Sequence, residues 1–149
     1  MATPRDQRVL VVDDEPDILD TVRACLEADL GVEVREARSG PQALALVEST
    51  AFDLILTDYK MPGMDGLELL RHVAARAPSV PRVLMTAFPD VDLAINALND
   101  GRILHFLSKP LAPEELRDVL GAILDEHRAR KQRESALRRS LEQLRRHKP

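Results

Sequence analysis

Five short apolar runs recur along the chain, at 8–12, 32–34, 54–58, 82–86 and 103–107, and each is followed by a stretch with helical spacing. Runs of this length read as strands. The run Leu54-Ile55-Leu56 is apolar at every position, the pattern of a strand covered on both faces. Val32 and Val34 alternate with charged residues and suit a half-buried or edge strand. The intervening segments carry helix signals. Pro16 precedes Ile18, Leu19, Val22 and Leu26, and Gly31 ends that pattern. Ser39-Gly40-Pro41 opens a second helix, Asp65-Gly66 leads into a third, the turn Phe88-Pro89-Asp90 precedes a short fourth at 91–98, and Pro113-Glu114-Glu115 opens the last. Strand–helix alternation of this kind predicts an α/β domain: a doubly wound, five-stranded parallel sheet with helices on both faces and right-handed crossovers.

Ligands of such sheets sit beyond the carboxyl ends of the strands. The residues at those ends are Asp13, Asp14 and Glu15 after the first strand, Asp58 at the end of the third, Thr86 after the fourth and Lys109 after the fifth. Each alone has an ordinary explanation. An acidic run suits a helix start, Asp58 can open the Pro62-Gly63 turn, Thr86 is a common strand residue and Lys109 a solvated turn residue. Together they put several carboxylates, a hydroxyl and an ammonium on one rim. A carboxylate cluster needs a cation to stay ionised, and hard oxygen ligands with room for water suit Mg²⁺. Lys109 and Thr86 would serve phosphoryl oxygens, so the chemistry indicated is phosphoryl transfer with Asp58 as nucleophile.

Four motifs carry a family resemblance: Val11-Val12-Asp13-Asp14-Glu15-Pro16, the stretch from Thr57-Asp58 through Lys60-Met61-Pro62-Gly63 to Asp65-Gly66, Met85-Thr86-Ala87, and Phe106-Leu107-Ser108-Lys109-Pro110. Over about residues 8–124 the chain resembles the receiver domain of two-component response regulators. The resemblance implies a flavodoxin-like sheet of strand order 2-1-3-4-5. It implies that Asp58 accepts a phosphoryl group from the phosphohistidine of a cognate histidine kinase. Asp14, Asp58 and the backbone carbonyl of Lys60 would ligate Mg²⁺, with Asp13 acting through water. Thr86 and Lys109 would bind the phosphoryl oxygens, Thr86 and Phe106 would form the conformational switch, and the Lys109–Pro110 bond would be cis. Lys60 and Phe88 match positions that tune phosphoryl lifetime, Phe88 by shielding the site from water. The approach to the last strand, 95–106, departs from the commoner pattern. It resembles receivers of larger regulators with enzymatic outputs such as cyclic-dinucleotide phosphodiesterases or kinase-like domains. A haloacid-dehalogenase-like phosphatase is the rival enzyme reading, but it needs a second Asp two residues after the nucleophile, where this chain has Lys60. By this reading the chain is no enzyme beyond its own phosphorylation and dephosphorylation.

Charge divides the chain in two. Residues 1–124 hold 12 basic and 21 acidic residues, net −9, whereas 125–149 hold 9 and 4, net +5. The expected division is therefore a receiver domain at 1–124 and a basic amphipathic extension at 125–149. Leu116, Leu120 and Ile123, then Leu137, Leu141 and Leu144, keep four- and three-residue steps, but His127, Arg130 and Glu134 interrupt them. No Gly or Pro interrupts residues 122–148, so the expectation is an extended C-terminal helix made of a domain helix, a polar joint and a second short amphipathic helix, with His127 and His147 exposed. That second helix would pair two chains as a homodimer, lead to an output domain, or stay solvated or bind nucleic acid or an acidic surface. Nucleic-acid binding is disfavoured, because no helix-turn-helix pattern or interleaved aromatics accompany the arginines. The lone Cys25 excludes an internal disulfide and suits a small core residue in a reducing compartment. With no signal peptide or ~20-residue apolar span, the expected setting is the cytoplasm.

Overall fold

Alternation along each strand decides the layering. In β1 (Arg8–Val12) and β3 (Leu54–Asp58), Val9, Val11, Leu54 and Leu56 join one apolar cluster, while Leu10, Val12 and Ile55 join another. The computed structural model describes residues 5–87 and 90–147, with the Val91 side chain left aside. Its elements follow in chain order as β1, α1 (Pro16–Leu30), β2 (Glu33–Ala37), α2 (Gly40–Ser49), β3, α3 (Gly66–Arg76), β4 (Arg82–Thr86), α4 (Val91–Asn99), β5 (His105–Ser108) and α5 (Pro113–Arg146). All strand pairs are parallel, in the order β2-β1-β3-β4-β5. The doubly wound α/β fold and the implied strand order are therefore both present. Helices α1 and α5 cover one face through Leu19, Val22, Leu26, Leu116, Leu120 and Leu124. Helices α2, α3 and α4 cover the other through Ala43, Leu67, Leu70, Val73 and Ala97. Cys25 is a free thiol, half-buried against the α1–α5 face.

Local chemistry sets the helix ends. Ser39, Asp65 and Asp90 accept hydrogen bonds from backbone N–H groups of Gln42, Glu68 and Leu93, satisfying donors that the first turn leaves open. Gly31 closes α1 at φ 64°, a left-handed conformation that disfavours side chains with a Cβ.

The expected extended C-terminal helix is present, and the stretch read as a polar joint after residue 124 is a continuous part of it. α5 runs unbroken for 34 residues, and the 124/125 position lies inside it. Contacts with the underside of the sheet hold this stretch. The Gln7 amide donates to the Leu124 carbonyl at 2.9 Å, Arg5 pairs with Asp125 at 2.7 Å, and Arg128 pairs with Asp6. His127 is buried at 4% exposure, contrary to the exposed position expected of it. Its Nε2 lies 3.4 Å from Asp53 Oδ1, beside Lys131 at the same distance from that oxygen. A His at a core position of the seam is tolerated because the turn before β3 presents a carboxylate to it.

Burial pushes the His127 imidazole below its ordinary value of 6.5. Asp53 opposes this, and Lys131 and Arg130 reinforce it. The unfolded chain therefore takes up the proton first as pH falls. Stability contributed by neutral His127 is full above pH 6.5 and is lost as pH drops from there toward the folded value. His127→Gln keeps a donor toward Asp53 but cannot titrate. Denaturant melts across this window should show a shallower loss of stability on acidification in the variant. Parallel curves would remove His127 from the pH response.

Candidate functional site

The strand order reverses between β1 and β3, the switch point at which such sheets bind ligands. Asp13 follows β1 there and Asp58 ends β3. Asp13 is fully buried, Asp58 is nearly so, and Asp14 is half-exposed at the rim. One carboxylate oxygen from each of the three lies within 4.8 Å of the others. Lys109 reaches across from beyond β5. Its ammonium donates to Asp13 Oδ2 at 2.7 Å and lies 3.2 Å from Asp58 Oδ1. Its backbone N–H donates to the Thr86 carbonyl at 2.8 Å, which ties the Lys109 loop to the end of β4. The following Lys109–Pro110 bond is cis.

Backbone contacts hold the acceptor strand in place. The Tyr59 N–H donates to the Met85 carbonyl at 2.9 Å, and the Thr57 hydroxyl donates to the Asp58 carbonyl at 3.0 Å. Asp13 Oδ1 accepts from the Glu15 N–H at 2.9 Å, so both oxygens of this buried carboxylate are engaged. The start of α3 presses on β3 from outside. Gly66 donates its N–H to the Tyr59 carbonyl at 2.7 Å, and a Cβ at this position would lie 2.1 Å from the Asp58 carbonyl oxygen. The sequence shows only a helix start at Asp65-Gly66. The close approach arises from packing, and the glycine itself was its one visible signal.

The electrostatics are unbalanced. Three carboxylates face one ammonium, and burial, reinforced by the Asp13 charge, pushes the Asp58 carboxyl above its ordinary value; Lys109 opposes the shift. Burial alone would lower Lys109, but its hydrogen bond to Asp13 and the nearby charges outweigh that and leave it raised. The donors are hard carboxylate oxygens at a rim open through Asp14, which fits a divalent cation of the Mg²⁺ type.

Of the expected site residues, Asp13, Asp14, Asp58 and Lys109 converge directly. Thr86 is buried at the end of β4, in register with Ser108. Lys60 is exposed two residues beyond Asp58. Phe106 is half-buried against the α2–α3–α4 cluster, in register with Leu84. Because Leu84 and Thr86 share a face, Phe106 lies one diagonal step from Thr86 across the β4–β5 ladder. Phe88 falls outside the described residues.

A family model for the response regulator receiver domain matches residues 9–121. Response regulator protein PilR of Pseudomonas aeruginosa is 39% identical over 121 residues, 79% of this chain and 26% of that protein. The alginate biosynthesis transcriptional regulatory protein AlgB of the same organism is 42% identical over 110 residues, 74% of this chain and 24% of AlgB. The chain thus spans about a quarter of the length of these relatives. Among solved structures, a CheY-like receiver domain protein from Methanospirillum hungatei superposes with a TM-score of 0.78 at 32% identity, over 85% of this chain and 99% of that one. The signal receiver domain of an HD domain-containing protein from Pseudomonas fluorescens gives 0.79 at 33% identity, over 89% and 97%.

Proposed function

The chain belongs to the response regulator receiver domain family, and on that premise we propose that Asp58 is its phosphoacceptor, charged by the phosphohistidine of a cognate histidine kinase. The observation that carries this reading is the convergence of Asp13, Asp14 and Asp58 under the ammonium of Lys109. An Asp58 carboxylate oxygen attacks the phosphorus, and the phosphorus–nitrogen bond to the kinase histidine breaks as the acyl phosphate forms. Lys109 and Thr86 donate to the phosphoryl oxygens, so catalysis consists of positioning and charge neutralisation. Asp14, Asp58 and the Lys60 carbonyl would hold Mg²⁺, with Asp13 behind them through water. Bound there, the ion would offset the carboxylate repulsion and the charge of the incoming phosphoryl group. Lys60, exposed beside the acceptor, is placed to influence how long the acyl phosphate lasts.

Thr86 and Phe106 form the reporting pair in this proposal. The Thr86 hydroxyl moves toward the phosphoryl group, and Phe106 takes up the space beside it. Their diagonal placement on neighbouring strands supports the coupling. No described helix is long and apolar enough to cross a membrane, consistent with action in the cytoplasm beside a kinase. The reading is a switch that catalyses only its own phosphorylation and dephosphorylation.

A small acyl phosphate donor with Mg²⁺ tests it. One phosphoryl group per chain should accumulate, and a chelator should abolish it. Steady hydrolysis of many equivalents without a phosphoprotein would favour a phosphatase instead. Thr86→Ala should still take up the group, more slowly, but its Phe106 environment, followed by side-chain NMR, should no longer change on phosphorylation. An unaltered Phe106 response in that variant would remove Thr86 from the switch.

A further inference from the structure

α5 carries an uncovered apolar seam below the domain. Leu137, Leu141 and Leu144 are 61%, 52% and 68% exposed, the only large apolar side chains so exposed on the described part of this helix. They continue the four- and three-residue steps of Leu116, Leu120 and Ile123, whose part of the seam is covered by the domain core. With Leu141 at heptad position a and Leu137 and Leu144 at d, the flanks can be read off. One flank holds Lys131, Arg138 and Arg145, and the other holds Arg133 and Ser140. Arg133 reaches back to Glu126 at 3.1 Å and Lys131 reaches Asp53, whereas Arg138 and Arg145 make no ion pair among the described residues.

A second copy of the chain is a poor cover for this seam. A parallel, in-register pair sets Arg130 against Arg130, Glu134 against Glu134, and Arg133 beside Arg138. An antiparallel pair sets the flank of Lys131, Arg138 and Arg145 against itself. Like charges at flanking positions select against a pairing, and opposite charges select for it. We propose that the extension of α5 is a docking helix for an amphipathic helix of another protein, with apolar residues along its seam and Asp or Glu along both flanks. The homodimer expected from the leucine spacing is replaced by a heteromeric pair, because spacing reports the seam but the flanks choose the partner.

Two synthetic helices test this on the full chain, both with leucine at a and d, one glutamate-flanked and one lysine-flanked. In fluorescence anisotropy the glutamate-flanked peptide should bind about tenfold or more tighter than its counterpart, and added salt should narrow the gap. Leu141→Ser should weaken it by about tenfold or more. The double variant Arg138→Glu/Arg145→Glu should shift the preference toward the lysine-flanked peptide. Both positions are solvent-facing and outside the core, so the domain stays folded. Equal binding of both peptides, no binding of either, or a doubled mass of the chain alone that Leu141→Ser abolishes would overturn the proposal.

Discussion

Asp58→Asn is expected to melt at a higher temperature than the unaltered chain when divalent cations are absent, and Mg²⁺ is expected to narrow or reverse that order. The reason is the unbalanced rim. Burial and the Asp13 charge hold the Asp58 carboxyl above its ordinary value of 3.8, so its ionised form is less favourable in the folded chain than in the unfolded one. The destabilisation is absent below pH 3.8, grows as pH rises toward the folded value, and is complete above it. The advantage of Asn should follow that course and fade on acidification. A cation that binds only the folded chain stabilises it by about 2.7 kcal/mol at a hundredfold excess over its dissociation constant. For a domain of this size that is about 5–10 °C. The unaltered chain should gain that shift with Mg²⁺, and the Asn variant much less. Equal shifts in both proteins would mean that Asp58 is no part of a cation site.

Gly66→Ala should be the most damaging single-methyl change near the site. The added Cβ would sit 2.1 Å from the Asp58 carbonyl oxygen and 3.0 Å from Tyr59 Cα, both backbone atoms that cannot swing aside. Either α3 moves off the sheet or the end of β3 is displaced. Overpacking of this kind costs about 3 kcal/mol, and a loss of about 6–12 °C in melting temperature follows. Phosphoryl uptake should fall with it, because the displaced atoms belong to the acceptor residue itself. A variant with unchanged melting and uptake would show that the backbone there yields freely. Gly63, which unlike Gly66 has a positive φ, is the useful contrast: a Cβ there meets nothing within 4 Å, so only conformational strain opposes it.

The rim was legible because its logic is topological. Once the short apolar runs are read as parallel strands, Asp13, Asp58, Thr86 and Lys109 share one edge whatever the details of packing. The helix starts at Ser39 and Asp65 were legible for a similar reason: each acts on an N–H group only three residues away. What sequence reading missed depends on contacts distant in the chain. His127 interrupts an apolar pattern and so looked solvent-facing. Its burial rests on Asp53, 74 positions earlier. The length of the C-terminal helix was legible in the absence of Gly and Pro from 122–148, but the polar stretch after residue 124 reads as a joint because its residues are poor core formers. It stays helical because Arg5, Asp6 and Gln7 hold it along the underside. The role of Gly66 was hidden because a close approach between backbones leaves no pattern beyond the glycine.

The most direct measurement of the central claim is to locate the phosphoryl group. The chain is charged with a small acyl phosphate and Mg²⁺, then reduced with borohydride, which converts an aspartyl phosphate to a distinguishable residue, and mapped by peptide mass. Modification at Asp58, absent in Asp58→Asn and absent with chelator, is the predicted result. Modification at another residue, or undiminished phosphorylation of Asp58→Asn, would contradict it.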